Sequence, residues 1–369
     1  MANGERRVLH IGKFYPPYMG GMETHLQALC ERLKDSIQTE VLVANDGRET
    51  IEEEINGVKV TRLGTLLNLS AASVCPGMAR RIRESKADLV HIHLPNPSAI
   101  LSYLTSQTRS VLVFSHHSDI IRQKVLGKAF EPILRYALRR ADAIIVATQN
   151  HIRSSPIISD YKDKCHVIPY GIEAKDFQAR NEAAINVIRN RFGPHIVLSV
   201  GRLVYYKGFE YLIRAMKRVE GHLIIVGSGP LFDSLKREAE GCGIANRVTI
   251  LTDVKDLRPF YQAADVFVLA SIARSEAFGI VQLEAMACGT PVVNTNLDSG
   301  VPCVSLDGVT GFTVAPCDEE ALCAAIKKLL ETGDLRAKFG EAGRQRVKKE
   351  FSVEVMTRKT LELYRKLLD

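Results

Sequence analysis

Glu276 and Glu284 lie in the stretch Arg274-Ser-Glu-Ala-Phe-Gly-Ile-Val-Gln-Leu-Glu-Ala-Met-Ala-Cys-Gly-Thr-Pro-Val-Val293, which is otherwise almost free of charge. From Ile280 to Cys288 the residues predict a helix that is apolar on nearly every face and therefore buried. A bare carboxylate in such a helix is costly unless something hydrogen-bonds it. Hydroxyl groups of a polyol are suitable partners. Glu276, just ahead of the helix, is placed to accept from sugar hydroxyls, and Glu284, two turns on, from another pair such as those of a ribose. The amides of Phe278, Gly279 and Ile280 begin that helix and lack intrahelical acceptors. The partial positive charge of a helix start suits a diphosphate.

Two cations follow a predicted strand in Val200-Gly-Arg-Leu-Val-Tyr-Tyr-Lys-Gly208. Arg202 suits bidentate phosphate contact and Lys207 a flexible point charge; the plainer alternative is two ordinary surface cations. Val226-Gly-Ser-Gly-Pro230 repeats the logic, with Gly227 and Gly229 letting a nucleotide lie close to the backbone. Near the N-terminus, Phe14-Tyr-Pro-Pro-Tyr-Met-Gly-Gly-Met-Glu-Thr-His25 places Gly20 and Gly21 where a strand gives way to a helix, either as an anion-binding turn or as a plain loop. Neither a Gly-x-Gly-x-x-Gly dinucleotide fingerprint nor a P-loop occurs.

Strand-like apolar runs alternate with amphipathic segments along the whole chain, the pattern of parallel sheets covered by helices. A length of 369 residues predicts two such domains rather than one. The first is expected over 1–180 with strands at Arg7–Gly12, Glu40–Ala44, Asp88–Leu94, Ser110–Ser115 and Ala143–Ala147, and the polar stretch up to about Asn190 reads as a linker. The second is expected over 190–351, and a last helix over 352–369. Ligands then belong at the carboxyl ends of the strands, between two Rossmann-like lobes.

The composition, 46% hydrophobic and 25% charged, is that of a soluble globular protein. No window approaches the roughly 18 uncharged apolar residues of a membrane span, and the start lacks the apolar core of a signal peptide, so a cytoplasmic protein is expected. Eight scattered cysteines without a Cys-x-x-Cys pair read as reduced core thiols rather than a zinc site. The net charge is +7, and residues 76–140 hold 11 basic against 4 acidic side chains, among them Arg80, Arg81, Arg83, Lys86, Arg122, Lys124, Lys128, Arg135, Arg139 and Arg140. Such a patch suits anionic lipid headgroups or a phosphorylated acceptor, with a merely solvated surface as the alternative. No nucleic-acid-binding motif accompanies it.

Taken together, Glu-x7-Glu, Gly-Arg-Leu-x3-Lys-Gly, Val-Gly-x-Gly-Pro and the N-terminal Gly-Gly loop resemble the GT-B retaining glycosyltransferases of family 4, over nearly the whole chain. The resemblance implies two Rossmann-like α/β domains facing across a cleft. It implies that Glu276 contacts the donor sugar, Glu284 the nucleotide ribose, and Arg202 and Lys207 the diphosphate leaving group, with Gly20 and Gly21 approaching from the other lobe and the terminal helix crossing back onto the first. The family's active-site histidine maps onto Val113-Phe-Ser-His-His-Ser-Asp-Ile120, where His116 and His117 compete. The His-Ser-Asp-Ile pattern favours His117, oriented by Asp119, to hydrogen-bond the sugar's primary hydroxyl or support charge near the anomeric centre. His91 and His93, alternating with apolar residues on a strand, read as structural or cleft-lining.

No useful Asp-x-Asp metal pair is present, and Arg202, Lys207 and a helix start can offset phosphate charge without a metal. The expectation is no cofactor and no metal. Similarity to bacterial exopolysaccharide and O-antigen mannosyltransferases, close around His-Ser-Asp-Ile and Asn296-Leu-Asp-Ser-Gly-Val-Pro302, implies GDP-mannose as donor, with UDP-linked glucose, galactose or N-acetylglucosamine as alternatives. It also implies a glycan or polyprenyl-diphosphate-linked acceptor at the inner face of the cell membrane. Two rival readings are a nucleotide-dependent oxidoreductase, opposed by the missing dinucleotide fingerprint, and a catalytically silent binding protein, opposed by the intact charged set.

Overall fold

Segments such as Ala143-Ile-Ile-Val146 and Ile196-Val-Leu-Ser-Val200 are buried along their whole length, which a strand achieves inside a parallel sheet covered on both faces. The computed structural model describes residues 6–18, 20–69, 72–118 and 124–369. It divides into two compact units, the first reaching Gly171 and regaining Val353–Asp369, the second spanning Ile172–Ser352.

The first unit holds an eight-stranded sheet in the order Cys165–Val167, Ala143–Val146, Val111–His116, Leu89–Leu94, Arg7–Ile11, Gln38–Ala44, Val58–Leu63, Ile51–Ile55. All neighbours run parallel except the last pair, which is antiparallel. Because side chains alternate along a strand, the sheet has two chemically different faces. One carries Leu9, Ile11, Val90, Ile92, Leu112, Phe114, Ile144 and Val146, packed with Met78, Ile82, Ile100 and Leu138 from helices. On the other, Val8, Leu89, Val113 and Ile145 meet Leu29 and Leu33 of the helix Gly21–Leu33, and Val353, Met356, Leu363 and Tyr364 of the helix Val353–Leu368. His10, His91 and His93 sit on this second face, two or four residues along their strands from Val8 and Leu89.

The second unit holds six parallel strands in the order Val248–Leu251, His222–Val226, Ile196–Val200, Val266–Leu269, Val292–Thr295, Gly311–Val314. Its core joins Val197, Leu223, Ile225, Val266 and Val268 to Phe209, Leu212, Leu235, Leu322 and Ile326 of the helices.

Some elements differ from the sequence expectation. The stretch taken as a linker is not one: Asn181 caps a helix over Glu182–Phe192 by accepting from the Ala184 amide at 3.1 Å, and Ile185 and Ile188 bury its inner face. Only two inward residues in a polar segment give a weak periodic signal. The chain passes from one unit to the other at Gly171–Ile172 rather than near residue 180. A hairpin over Ile51–Ile55 and Val58–Leu63 escaped notice because Glu52, Glu53 and Glu54 make its outer strand polar. Its signal was the pair Asn56-Gly57, both at positive φ, the two-residue turn that right-twisted strands favour. The helix expected from Ile121 is described from Lys124 to Arg140.

Gly311 starts the edge strand so close to its neighbour that an added Cβ would lie 1.6 Å from the Val292 carbonyl oxygen. The obstacle is backbone, so it cannot swing aside. Gly311→Ala should therefore lower stability by more than ~3 kcal/mol, measured as a drop in the urea midpoint of the second unit; an unchanged midpoint would show that the two strands can part at little cost.

Candidate functional site

The strand Ile196–Val200 ends in a glycine, and the loop after it carries both predicted cations. Lys207 closes a single 3-10 turn, Tyr205–Lys207, with its side chain about nine-tenths buried. Its Nζ lies 2.5 Å from Glu276 Oε2, and the same oxygen accepts from Ser271 Oγ at 3.1 Å. Two glycines make this meeting possible. A Cβ on Gly201 would press on Lys207 Cε at 3.0 Å, and one on Gly208 (φ +63) would collide with the Ala270 carbonyl oxygen at 2.2 Å. The Ile272 amide, donating to the Tyr206 carbonyl at 2.8 Å, pins the lysine loop to the segment that leads to Glu276. Arg202 is exposed and has no acidic partner among the described residues.

Beyond Glu276 the helix forms over Val281–Cys288, every residue from Gln282 to Cys288 buried except Glu284. Glu284 Oε2 accepts from Tyr261 Oη at 2.6 Å. Burial pushes the Glu284 carboxyl above its usual range, and this hydrogen bond offsets part of the shift. No side chain caps the start of the helix. The buried Phe278 ring packs edge-on against Phe351. Gly279 is at φ +74 with Leu269 and Gln282 against its missing side chain, and Ile280 sits at the N-cap. Gln282 donates back to the Phe278 carbonyl at 3.1 Å and accepts from Asn294 at 2.8 Å, which fixes the approach to the helix.

Gly227 and Gly229 have an intramolecular reason to lack side chains. Cβ atoms there would stand 1.9 Å from the Gly201 carbonyl oxygen and 2.6 Å from that of Leu203. The space predicted to admit a nucleotide is, on the Cβ side, taken by the neighbouring loop. Tyr261 and Ser271, which hold the two glutamates, were missed by the sequence reading, since an isolated tyrosine in a short helix and a serine after a strand carry no motif.

In the first unit Gly20 caps the helix that begins at Gly21. The Glu23 carboxylate lies over Gly20, where a Cβ would be 2.4 Å from Glu23 Oε2, so the protein's own acid occupies the place predicted for an anion. His117 belongs to a continuous chain of rings. Tyr170 Oη meets His117 Nδ1 at 2.6 Å; His117 Nε2 meets His93 Nδ1 at 3.0 Å; His93 Nε2 meets His10 Nδ1 at 3.2 Å. Tyr364 Oη then links His10 Nε2 at 3.4 Å to His91 Nδ1 at 2.5 Å, and His91 Nε2 ends the chain on Ser115 Oγ at 2.8 Å. His116 turns elsewhere, its Nδ1 3.0 Å from His151 Nε2. Asp119, expected to orient His117, lies outside the described residues. So does Arg122 of the basic window, where Arg80, Arg81 and Arg135 are engaged with Glu84, Glu52 and the Glu131–Asp160 pair.

Burial keeps these imidazoles neutral, lowering His10 to about 3 and His25 to about 4, with His91, His93 and His117 also well below the usual value. Unfolded histidines take up protons near pH 6.5, whereas the folded ones wait until far lower pH, so the unfolded state binds more protons in acid. The stability present above about pH 6.5 should drain away as pH falls towards about 4. Urea midpoints of the full chain at pH 7.5 and pH 5 measure this; a first unit as stable at the lower pH would mean that the rings are already charged.

Residues 19–176 match the family described as Glycosyltransferase Family 4, and residues 181–346 that described as Glycosyl transferases group 1. The chain is 30% identical to the O-antigen chain mannosyltransferase C of Escherichia coli, over 98% of this chain and 99% of that one. It is also 30% identical to the GDP-mannose-dependent alpha-(1-6)-phosphatidylinositol monomannoside mannosyltransferase of Mycolicibacterium smegmatis, covering 91% and 92% of the two. The crystal structure of Anabaena HepE in complex with UDP superimposes with a TM-score of 0.81 at 21% identity, covering 98% of this chain and 100% of that one. Among the described residues no helix is long and apolar enough to cross a membrane.

Proposed function

Since the chain belongs to the GT-B glycosyltransferases of family 4, we propose that it moves mannose from GDP-mannose, with retention at the anomeric carbon, to a hydroxyl of a glycan or polyprenyl-diphosphate-linked acceptor. The observation that carries this reading is the buried Lys207–Glu276 pair beside an uncapped helix start and an exposed Arg202 that has no acidic partner among the described residues. A diphosphate is a better partner for Lys207 than one carboxylate, because it brings more negative charge and more acceptors. As its ammonium turns to the phosphate, Glu276 is released to accept from sugar hydroxyls while Ser271 still holds one of its oxygens. Arg202 adds the second cation and the Gly279 and Ile280 end of the helix the partial positive charge.

Glu284, steadied by Tyr261, accepts from the ribose hydroxyls. His117 is neutral at physiological pH with both ring nitrogens engaged, by Tyr170 and His93, so hydrogen-bonding the sugar's primary hydroxyl requires it to exchange one of these partners. The leaving phosphate itself takes the acceptor's proton on the same face of the sugar, which leaves no separate general base to assign. With two cations and a helix start on the leaving group, turnover needs no metal in this scheme. The mannosyltransferase relatives support GDP-mannose, while the UDP complex of the structural neighbour favours a second reading, a UDP-sugar donor.

Calorimetric titration with GDP, UDP, ADP and NADH, each with and without magnesium, separates these readings. GDP should bind tightest, with or without the metal; preference for UDP would move the donor to the second reading, and binding of NADH alone would overturn the assignment. Lys207→Ala should weaken the preferred nucleotide about 10- to 100-fold, the range for a charged hydrogen bond, and nearly abolish turnover. Wild-type affinity and turnover in that variant would remove Lys207 from the diphosphate site.

A further inference from the structure

From the histidine layer of the first unit we infer that His25, His93 and His117 form a binding site for one divalent transition-metal ion of the zinc class. Each offers a ring nitrogen, and the three nitrogens lie within 4.8 Å of one another. All three residues are more than nine-tenths buried. Zinc binds imidazole nitrogen at about 2.0–2.1 Å, which sets tetrahedral ligands roughly 3.3–3.4 Å apart. His93 Nδ1 and His117 Nε2, 3.0 Å apart, are already close to that spacing.

Three independent features point to a ligand there. His25 Nδ1 is buried without any hydrogen-bond partner, which a native interior rarely tolerates. Next to the triad is a cavity of about 10 Å³, the room of one water molecule or one ion, which His25, His117 and Tyr170 line and His93 does not. The outer nitrogens of the other two rings are also held in the way metal-bound imidazoles require, His93 Nε2 by His10 and His117 Nδ1 by Tyr170. A second triad, His10, His91 and His93, satisfies the same distance condition. In both groups two rings would give up the hydrogen bond between them, but the third ring differs: His91 has both nitrogens engaged, by Tyr364 and Ser115, whereas His25 Nδ1 has no partner to lose.

Binding balances without net loss of protons. In the hydrogen-bonded chain one proton lies between His93 Nδ1 and His117 Nε2. Moving the protons to the outer nitrogens, His93 Nε2 towards His10 and His117 Nδ1 towards Tyr170, leaves two facing lone pairs for the ion. Three neutral imidazoles with no carboxylate select zinc, cobalt, nickel or copper over magnesium or calcium, and leave a fourth position for water. The bound ion occupies His117 Nε2, so it acts as an inhibitor of transfer and not as its cofactor. That consequence rests on the role given to His117, whereas binding itself is measured without turnover.

The test is titration of the chelator-treated full chain with Co²⁺, followed by the visible absorption that tetrahedral cobalt shows strongly. One equivalent should bind, be displaced by Zn²⁺ and be indifferent to Mg²⁺. His25→Gln should weaken binding by about tenfold or more, and His91→Gln should leave it unchanged, with far-UV circular dichroism checking that each variant is folded. Absence of saturable binding in the wild type, or undiminished binding in H25Q, would overturn the site, and loss in H91Q alone would place the ion in the other triad. Should H25Q fail to fold, X-ray absorption of the wild-type zinc complex still decides, three imidazole ligands being expected and one or none refuting the assignment.

Discussion

A lysine and a glutamate buried side by side set the main electrostatic constraint of the second unit. Taking two charges out of water costs about as much as their attraction returns, and stranding one of them costs about 3–5 kcal/mol. Lys207 and Glu276 are each about a tenth exposed, so neither can be left alone. Their meeting depends on chain geometry well beyond the pair. The left-handed Gly208 lets the lysine loop close onto Ala270, and Gly201 leaves room for the lysine stem. Thr295 Oγ1, donating to the Ser271 carbonyl at 2.5 Å, and the Gly300 amide, donating to the Ala277 carbonyl at 2.7 Å, hold the glutamate segment from below. Gly227 allows the next loop to stack on Gly201. The floor of the site is backbone packed on backbone, which moves little when a side chain changes partner.

The first unit meets a different constraint. A parallel sheet must hide both faces, and one of these carries imidazoles where hydrocarbon would be expected. Rings with one donor and one acceptor each can satisfy one another only as an ordered chain, with a hydroxyl at each end to absorb the mismatch. Tyr170 and Ser115 serve that purpose, and Tyr364 bridges His10 and His91 within the chain. Tyr364 lies on the helix Val353–Leu368, so that helix supplies a polar link to the chain as well as apolar cover from Val353, Met356 and Leu363. Replacing any ring by an apolar one would leave a buried nitrogen or hydroxyl without that partner on each side, which couples the layer into a unit.

How much of this could be read from the sequence depends on distance along the chain. The glutamate helix was legible because its apolar residues cover every face, and Lys207 because a strand ends just before its loop. The alternation of His91 and His93 with apolar neighbours gave their strand and their shared face. What could not be read was the company they keep. His10, His25 and Tyr364 join them only because Arg7–Ile11 pairs with Leu89–Leu94 and two distant helices cover that face, and strand order is not written in local spacing. The same holds for Tyr261, one short helix away from Glu284 in space and 23 residues away in sequence. The hairpin around Asn56-Gly57 was missed: its turn carried the signal, but its glutamates hid the strand.

One regularity links the two units. Nearly every side chain suited to a ligand already has a partner within the protein: Lys207 holds Glu276, Tyr261 holds Glu284, Glu23 lies at the helix start beside Gly20, and the imidazoles hold each other. Binding at such a site is an exchange of partners and not the filling of an empty socket. The exchange keeps buried charges from standing alone in the free protein, and it subtracts the broken contact from the new one, so affinity measures a difference. A ligand with a single negative charge would gain little by displacing Glu276 from Lys207. On the proposed reading a diphosphate, with several oxygens and the exposed Arg202 on the same loop, would gain more, and the site would discriminate between them before any base or sugar is read.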